Sequence, residues 1–440
     1  MLKLRGIESD HCADRRLCVW LAGLLAGLGC LAATAVQAAG PADWPQWRGP
    51  GGDNHAPTGA AAPVAWGDGS AVAWQTALPG RGHSSPVLVK DKVFLTTANE
   101  SGETQSLLVL DRSTGTLLRE SVAHRGGLPR RIHPNNSHAS PTVASDGQSV
   151  FALFCNRDAA WVTAFDLEGE QLWQQRAIGF DPQQYQFGFG SSPVCTGGLV
   201  VVASESDGPE SGVVALDAAT GARRWITERP RQLTYSSPAL LRRKAGVQLL
   251  LSGNYKLAAY NAATGKELWS TPGSTQATCG TMVWDEQAGL AYASGGYPDA
   301  FVLAVGLDGD HAIRWQKNGI KCYEQSLLAT GGYVYGVADS GVAYCWRGSD
   351  GKEMWKARLG RGRGGYSASP LLVGDRIYVT GEGATTHVFA ASPDAFRRLA
   401  TNQLGDEAFA TLTPGDGRLY YRYARRENGR RQEYLAAIGE

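Results

Sequence analysis

A repeated unit of roughly 40–50 residues runs through most of this chain. Each clear copy begins with a small residue, usually in a Ser-Pro pair, continues through apolar strand patterns, and ends at an acidic or glycine turn close to a tryptophan. The two clearest copies run from Ser192-Pro193 to Trp225 and from Ser237-Pro238 to Trp269. Repetition with this period is typical of a β-propeller, in which each unit forms one four-stranded blade.

The end of the repeat array predicts how the ring closes. The last unit stops at Ile438 without an outer strand, whereas Val72–Leu78, ahead of the first unit, resembles an isolated outer strand. We therefore predict an all-β fold, an eight-bladed β-propeller of four-stranded antiparallel blades, closed by an N-terminal strand that pairs with residues 434–438 and completes the last blade. The predicted units begin at Ser85, Ser140, Ser192, Ser237, Gly280, Ser326, Ser369 and Phe409.

A turn motif and a tryptophan recur within the units. The Asp/Asn-x-x-Thr-Gly segments predict hairpin turns, because the Asx side chain caps its own backbone and glycine accepts a positive φ. The tryptophan that follows belongs to the outer strand, where its large face is expected to pack on the next blade. The residues predicted to have this structural role are Trp74, Trp173, Trp225, Trp269, Trp315 and Trp355.

The first 39 residues differ in character from the repeats. Arg15-Arg16 precede an apolar run over residues 17–36, followed by Gln37-Ala38-Ala39, a pattern that predicts a secretory signal cleaved after Ala38. An uncleaved membrane anchor and a lipoprotein modified at Cys30 are the alternatives. We expect a signal peptide over 1–39, an N-terminal extension over 40–70 and a propeller over 71–440. The protein is then periplasmic or extracellular, with no integral membrane span after cleavage.

Charge and cysteine content narrow the classes of partner. Lys and Arg number 42 against 41 Asp and Glu, so no overall field favours nucleic acid. We expect a monomer that binds a protein or a small ligand. Five cysteines follow the signal region, an odd number, and Cys322 and Cys345 either pair or lie buried as small apolar residues. No Cys-x-x-Cys motif is present, so the sequence predicts no metal site.

Residues that precede the first strand of each unit are predicted to crowd one mouth of the channel. A concave mouth with convergent polar groups is the usual place for a ligand, and guanidinium groups there could hold a carboxylate or phosphate. Glu324 is a candidate general base. The alternative is that these loop residues only cap strands. The candidate ligand-binding residues are Arg81, His83, His133, His138, Tyr235, Tyr323, Glu324, Arg361, Arg363 and Tyr366.

The Asp-x-x-Thr-Gly-x-x-x-Trp repeats resemble the blades of pyrroloquinoline quinone (PQQ) propellers. The opening segment, residues 43–50, is similar to the start of secreted bacterial PQQ-binding-like repeat proteins, as are segments 133–141, 188–194 and 366–370. This resemblance implies a relationship to two functionally distinct groups. One group comprises the quinoprotein alcohol and glucose dehydrogenases; the other is the cofactor-free propeller lipoprotein of the outer-membrane barrel-assembly machinery.

Two features of the chain depart from the dehydrogenases. Those enzymes place a disulfide between adjacent cysteines over the quinone, and no two cysteines are adjacent here. They also hold calcium through Glu, Asn and Asp side chains that have no matching segment in this chain. We therefore expect a non-enzymatic extracytoplasmic propeller, without a cofactor, that acts as a protein-interaction scaffold or a small-ligand-binding module. The alternatives are a PQQ- and calcium-dependent quinoprotein oxidoreductase with an atypical site, and a carbohydrate-processing propeller using Glu324 with Asp406-Glu407.

Overall fold

A computed structural model describes residues 43–360 and 364–440; the predicted signal peptide and both Arg361 and Arg363 lie outside the described residues. The described chain forms 32 strands in eight sheets, each of four antiparallel strands. The predicted all-β, eight-bladed propeller is therefore confirmed. Its described part contains strands, turns and bends but no helix, and accordingly no helix that could cross a membrane.

The ring is closed by the N-terminal strand, as the sequence predicted. Strand β1 (Val72–Leu78) forms the outer edge of the last blade, which also contains β30, β31 and β32. It pairs antiparallel with the final strand, with Trp74 opposite Ala437 and Ala77 opposite Tyr434. The two ends of the propeller thus share one sheet, and neither leaves an unpaired edge at the junction. The other strands of this blade are β30 (Thr413–Gly415), β31 (Arg418–Glu427) and β32 (Arg430–Ile438).

The remaining blades follow in chain order, each running from an inner to an outer strand. The first three consist of β2 (Val87–Val89), β3 (Lys92–Asn99), β4 (Thr104–Asp111) and β5 (Leu117–Arg125); β6 (Ala144–Ser145), β7 (Ser149–Asn156), β8 (Ala159–Asp166) and β9 (Gln171–Gly179); and β10 (Val194–Thr196), β11 (Leu199–Ser204), β12 (Gly212–Asp217) and β13 (Arg223–Glu228). The fourth and fifth consist of β14 (Ala239–Arg243), β15 (Gly246–Gly253), β16 (Lys256–Asn261) and β17 (Glu267–Pro272); and β18 (Val283–Asp285), β19 (Leu290–Gly295), β20 (Phe301–Gly306) and β21 (Ile313–Asn318). The sixth and seventh consist of β22 (Leu328–Thr330), β23 (Tyr333–Val337), β24 (Val342–Arg347) and β25 (Glu353–Arg358); and β26 (Leu371–Val373), β27 (Arg376–Thr380), β28 (Thr385–Ala390) and β29 (Arg398–Gln403).

Burial follows the position of a strand within its blade. The middle strands, such as β11, β12 and β20, are apolar and buried along nearly their whole length, because neighbouring blades cover both of their faces. Outer strands such as β13 are largely exposed. All five described cysteines are free, so Cys322 and Cys345 form no disulfide and both lie buried in the core.

Four of the outer-strand tryptophans lie against a glycine turn of the following blade, namely Trp74, Trp173, Trp225 and Trp315, whereas Trp269 stacks on His311 and Trp355 donates to the carbonyl of Ser392. Gly221 in the third blade has a φ of +74°, and a Cβ atom there would stand 2.7 Å from the ring of Trp173 in the second blade. The indole of Trp173 also donates a hydrogen bond to the carbonyl of Ala218, at 3.0 Å. The ring of Trp225 lies similarly close to Gly265. These contacts link the rims of adjacent blades.

A ring of eight hydroxyl side chains surrounds the propeller axis. Each is a serine or threonine placed two residues before the first strand of its blade, and in seven of the eight neighbouring pairs the backbone N–H of one member donates to the hydroxyl oxygen of the next, at 2.9–3.1 Å. We call this set the hydroxyl ring. In five of the eight units the small residue that was predicted to open the unit is therefore a hydrogen-bonding link between blades, and in the second, fifth and eighth units a nearby threonine takes this role. The hydroxyl ring consists of Ser85, Thr142, Ser192, Ser237, Thr281, Ser326, Ser369 and Thr411.

Residues 43–67, which we call the N-terminal segment, run across the inner strands. Trp44 exchanges two backbone hydrogen bonds with Leu88 of the first blade, and the backbone of Asn54 accepts one from Leu372 of the seventh. Between these points the Arg48 guanidinium, almost fully buried, donates to the carbonyl of Leu327 at 3.2 Å. Burial lowers the pKa of Arg48 to about 10, and Asp53 partly opposes this shift. The segment therefore fills the channel at the level of the inner strands.

Candidate functional site

A cavity of ≈ 330 Å³ lies on the propeller axis, between the N-terminal segment and the loops that precede the inner strands. Trp47 of the N-terminal segment forms part of its floor, and its indole donates to the hydroxyl of Thr281 at 3.1 Å. We call this space the central cavity. Its lining residues are Trp47, His83, Ser85, His133, Asn135, Asn136, Ser140, Thr142, Phe187, Gly190, Ser192, Tyr235, Ser237, Cys279, Thr281, Tyr323, Glu324, Ser367, Phe409 and Thr411.

The cavity has a constant layer and a variable layer. Six members of the hydroxyl ring reach the lining. Their oxygens accept N–H groups, and their own O–H groups have no acceptor among the described residues. These O–H groups are therefore free to donate to a ligand. Exactly two positions earlier in every blade comes another lining residue, and these eight differ in size and chemistry. We call them the variable ring. It consists of His83, Ser140, Gly190, Tyr235, Cys279, Glu324, Ser367 and Phe409.

The structure brings five of the predicted site residues together on this lining: His83, His133, Tyr235, Tyr323 and Glu324. Their role as ligand contacts stays a prediction. Arg361 and Arg363 lie outside the described residues.

Three other predicted residues lie away from the central cavity. Arg81 stands behind His83 and donates to the carbonyl of Pro134 at 2.9 Å. His138 lines an adjoining depression of ≈ 700 Å³, which shares His133 and Phe187 with the central cavity. Tyr366 is 5 % exposed and packs in the core between the sixth and seventh blades, where burial raises its pKa to about 12.

Glu324 provides the carboxylate of the described lining. Its side chain reaches the water of the cavity, yet protein surrounds the cavity on most sides, and this enclosure raises the pKa of Glu324. The nearby hydroxyl of Ser367, which donates to Glu382 at 2.7 Å, opposes the shift, while the charges of Glu382 and Asp339 add to it. Enclosure and like charges both favour the neutral acid, so Glu324 ionises less readily than a surface glutamate.

His83 lies three blades from Glu324 around the variable ring. Its imidazole stacks on Phe409 with 4.3 Å between ring centroids, and its Nε2 atom is buried without a hydrogen-bond partner among the described residues. Burial, followed by the charges of Arg81, Arg422 and Arg431, holds the pKa of His83 well below its usual value. His83 is therefore neutral at physiological pH.

A buried ion-pair network fixes the loop that carries His83. The Arg422 guanidinium pairs with Glu433 at 2.5 Å and donates to the hydroxyl of Ser84 at 2.9 Å. Glu433 in turn accepts the backbone N–H of Gly82, at 3.0 Å, and pairs with Arg431 at 2.7 Å. Backbone and side chains on both sides of His83 are thus tied to strands of the last blade.

Aromatic groups dominate the other walls. The Tyr235 hydroxyl is buried without a described partner, and burial raises the pKa of Tyr235 and of the neighbouring Cys279 thiol. At the mouth Phe187 is 37 % exposed and stacks on Tyr185, whose hydroxyl lies 3.3 Å from that of Tyr297. The loop between β9 and β10 therefore reaches across to the fifth blade and covers part of the mouth.

The lining fits PQQ with calcium poorly. PQQ is a quinone that bears carboxylates, and the described lining provides the carboxylate of Glu324 and no Lys or Arg. No group of three or more His, Cys, Asp or Glu side chains that could hold a metal occurs in residues 43–360 and 364–440. The carboxylate pair of a carbohydrate-processing site is not assembled on the described lining either, since Glu407 pairs with Arg431 at 2.8 Å behind it.

Several lining residues are absent from the sequence predictions. Trp47, Phe409 and Ser367 were not among the candidates, although the sequence contains a signal for the last two. Ser367 lies two positions before the residue that opens its predicted unit, as His83, Tyr235 and Glu324 also do, and Phe409 is itself the opening residue of the last predicted unit. Trp47 has no such periodic signal, because the N-terminal segment enters the channel from outside the repeats.

Comparison with known families gives one match. The profile of the family described as outer membrane protein assembly factor BamB matches residues 51–184, 136–357 and 315–430, which together span most of the propeller. No curated protein matches the chain.

Solved structures share the fold at low sequence identity. BamB from Moraxella catarrhalis is 15% identical, with a TM-score of 0.56 over 82% of this chain and 95% of that one. Quinohemoprotein alcohol dehydrogenase from Comamonas testosteroni is 13% identical, with a TM-score of 0.64 over 91% and 81%. A europium-containing methanol dehydrogenase is 10% identical, with a TM-score of 0.53 over 90% and 98%. At these identities the likeness concerns the fold, which hosts both kinds of protein.

Proposed function

This chain belongs to the family described as outer membrane protein assembly factor BamB, and we propose that it is a non-enzymatic, extracytoplasmic propeller that holds a small ligand in its central cavity. The observation that carries this proposal is the cavity itself. It is closed below by Trp47, ringed by free O–H groups, and lined by buried polar atoms without described partners, such as the Tyr235 hydroxyl. Its ≈ 330 Å³ falls within the range of about 300–1,000 Å³ of small-molecule pockets.

The chemistry of the lining supports binding rather than catalysis. Burial raises the pKa of the Cys279 thiol, which keeps it protonated and a poor nucleophile. Glu324 has no second carboxylate beside it on the described lining, so the usual acid–base pair is not assembled there. The extracytoplasmic location rests on the predicted signal peptide and agrees with the outer-membrane role in the family description.

A variant that fills the cavity tests this function. Gly190 belongs to the variable ring, and a Cβ atom there would meet only Tyr235, at an ordinary 3.8 Å, so Gly190→Leu should fold normally while occupying the space. We expect thermal-shift and calorimetric screening with sugars, amino acids, organic cations and PQQ to find a binder that wild-type protein retains and Gly190→Leu loses. Gly67→Leu, in the N-terminal segment and equally uncrowded, is the matched control. A binder indifferent to Gly190→Leu, or no binder at all, contradicts the proposal.

The quinoprotein alternative has its own test. Purified protein is titrated with PQQ in the presence of calcium, and the quinone absorbance is followed. We expect no saturable change and no turnover of alcohols or aldoses. Stoichiometric binding with turnover would replace the ligand-binding function with a quinoprotein oxidoreductase.

A protein scaffold is the second candidate, favoured by the family description and by the exposed aromatic side chains at the mouth. Phe187 and Tyr297 are 37 % and 46 % exposed, and aromatic residues of this kind are enriched at protein interfaces. Complementation of a deletion strain separates the two roles. If the scaffold role holds, a Tyr297→Ala variant, changed outside the cavity lining, loses outer-membrane protein levels and Gly190→Leu keeps them; the ligand role predicts the reverse.

A further inference from the structure

Glu324 is a carboxylate on the cavity lining without a counter-ion among the described residues. No described Lys, Arg or His side chain forms an ion pair with it, and the hydroxyl of the neighbouring Ser367 donates to Glu382 instead, at 2.7 Å. A carboxylate on the wall of a cleft attracts cations, because the low-dielectric protein around it concentrates its field. The cavity therefore presents an unsatisfied negative group to whatever enters it.

The groups that face Glu324 increase this negative character. Glu382, in the turn between β27 and β28, and Asp339, in the turn between β23 and β24, both add negative charge; His133 acts in the opposite sense. Lys321 is engaged by Asp339 at 3.4 Å and lies over the ring of Tyr323.

The basic groups behind His83 are already paired. Arg422 and Arg431 pair with Glu433 and Glu407, at 2.5–2.8 Å. Arg81 donates to a backbone carbonyl and does not reach the lining. On the described lining itself, the charge left without an ionic partner is therefore that of Glu324.

Aromatic rings surround the same space. Tyr235, Tyr323, Phe409, Phe187 and Trp47 all contribute to the lining. The faces of such rings carry partial negative charge and attract cations within about 6 Å of the ring centre. A carboxylate set among aromatic rings is the combination that recognises ammonium groups, whereas an anionic ligand would meet repulsion from Glu324.

We propose that the ligand of the central cavity is a small organic cation, of the quaternary ammonium or protonated amine class, held by Glu324 and the surrounding aromatic rings. This inference rests on the proposed ligand-binding function and adds the charge and class of the ligand. The free O–H groups of the hydroxyl ring would contact the polar end of such a molecule.

The test compares ligands that differ only in charge. Choline, trimethylamine and putrescine are titrated into the full-length mature protein by calorimetry, beside the uncharged tert-butyl isostere of choline. We expect at least one cation to bind and its neutral isostere to bind about tenfold or more weakly, as expected for loss of a charge-assisted contact. The affinity should rise with pH through the pKa of Glu324 and level off above it, because the carboxylate is the binding form.

Two variants locate the effect. Glu324→Gln keeps the shape of the side chain and removes its charge, so it should reduce cation affinity about tenfold or more and abolish the pH dependence. Glu382→Gln removes a neighbouring charge outside the lining and should have a smaller effect. Melting curves confirm that both variants fold. Equal binding of choline and its isostere, or unchanged affinity in Glu324→Gln, overturns the proposal.

The outcomes separate this inference from the function on which it rests. If the cations fail but a neutral sugar or PQQ binds wild-type protein and not Gly190→Leu, the cavity is a ligand site and the cation class is wrong. If neither cations nor the wider screen yields a binder sensitive to Gly190→Leu, both the function and the ligand class are wrong.

Discussion

The hydroxyl ring and the variable ring lie two residues apart in every blade, yet they obey different rules. The first contains only serine and threonine, whereas the second runs from glycine through cysteine and glutamate to tyrosine. The hydroxyl ring carries the contact from each blade to the next, as when Ser192 receives the N–H of Thr142. Because the blades are equivalent, this contact must be nearly the same between neighbouring blades, and the residue that makes it is therefore a serine or threonine in every blade.

The variable ring has no such constraint, because its side chains face the axis rather than a neighbouring blade. Eight positions occupied by seven kinds of residue can present different groups to different sides of a ligand. In this molecule they place Glu324 and His83 on different walls with aromatic rings between them. Repetition thus builds the frame, and divergence at one position per repeat builds the site.

The largest expected loss of stability concerns the loop that carries His83, where a member of the variable ring depends on a buried ion pair for its position. Next to His83 the loop is held by the fully buried pair between Arg422 and Glu433. Glu433→Ala leaves that guanidinium buried without its partner and should lower the free energy of unfolding by about 3–5 kcal/mol. Chemical denaturation measures the loss. An Arg422→Met/Glu433→Met double variant should recover most of it, and a loss below about 1 kcal/mol in Glu433→Ala would show that the network does not support this loop.

A smaller effect is expected within the hydroxyl ring. Thr142→Val keeps the shape of the side chain but leaves the buried N–H of Ser85 without its acceptor, at a cost of about 1–2 kcal/mol. Thr142→Ser retains the hydroxyl and is the control. Denaturation should show the loss in the valine variant and not in the serine variant. Equal stability of the two variants would mean that the ring hydroxyls do not join the blades.

The sequence predicted the frame far better than the site, and the two rings explain why. The blade count and the pairing of Val72–Leu78 with the last strand follow from repetition alone. Which residues line the cavity depends on the exact position at which each blade begins. The second unit was predicted to begin at Ser140, but its hydroxyl-ring member is Thr142, so the position two residues earlier is Ser140 rather than His138. In the seventh blade Tyr366, next to the lining residue Ser367, turns into the core.

Trp47 illustrates a different limit. It reaches the cavity because the N-terminal segment crosses the inner strands, and that path is fixed by long-range contacts such as the hydrogen bond from Arg48 to Leu327. No periodicity within the segment encodes these contacts. The resemblance of residues 43–50 to other secreted propellers marked the segment without revealing where it lies.

The smallest expected change in stability comes from a variant of the variable ring, and it tests whether that ring serves binding rather than stability. Tyr235→Phe removes a buried hydroxyl that has no described partner, so the free protein should be unchanged or stabilised, by less than about 1 kcal/mol, because no hydrogen bond is lost. Tyr292→Phe removes another such hydroxyl, at a position outside the cavity, and is the matched control. If the variable ring serves binding, only the Tyr235 variant should lose affinity for the cavity ligand in calorimetry. Equal affinity in both variants would mean that the Tyr235 hydroxyl does not contact the ligand, and that the variable ring does not serve binding in the fourth blade.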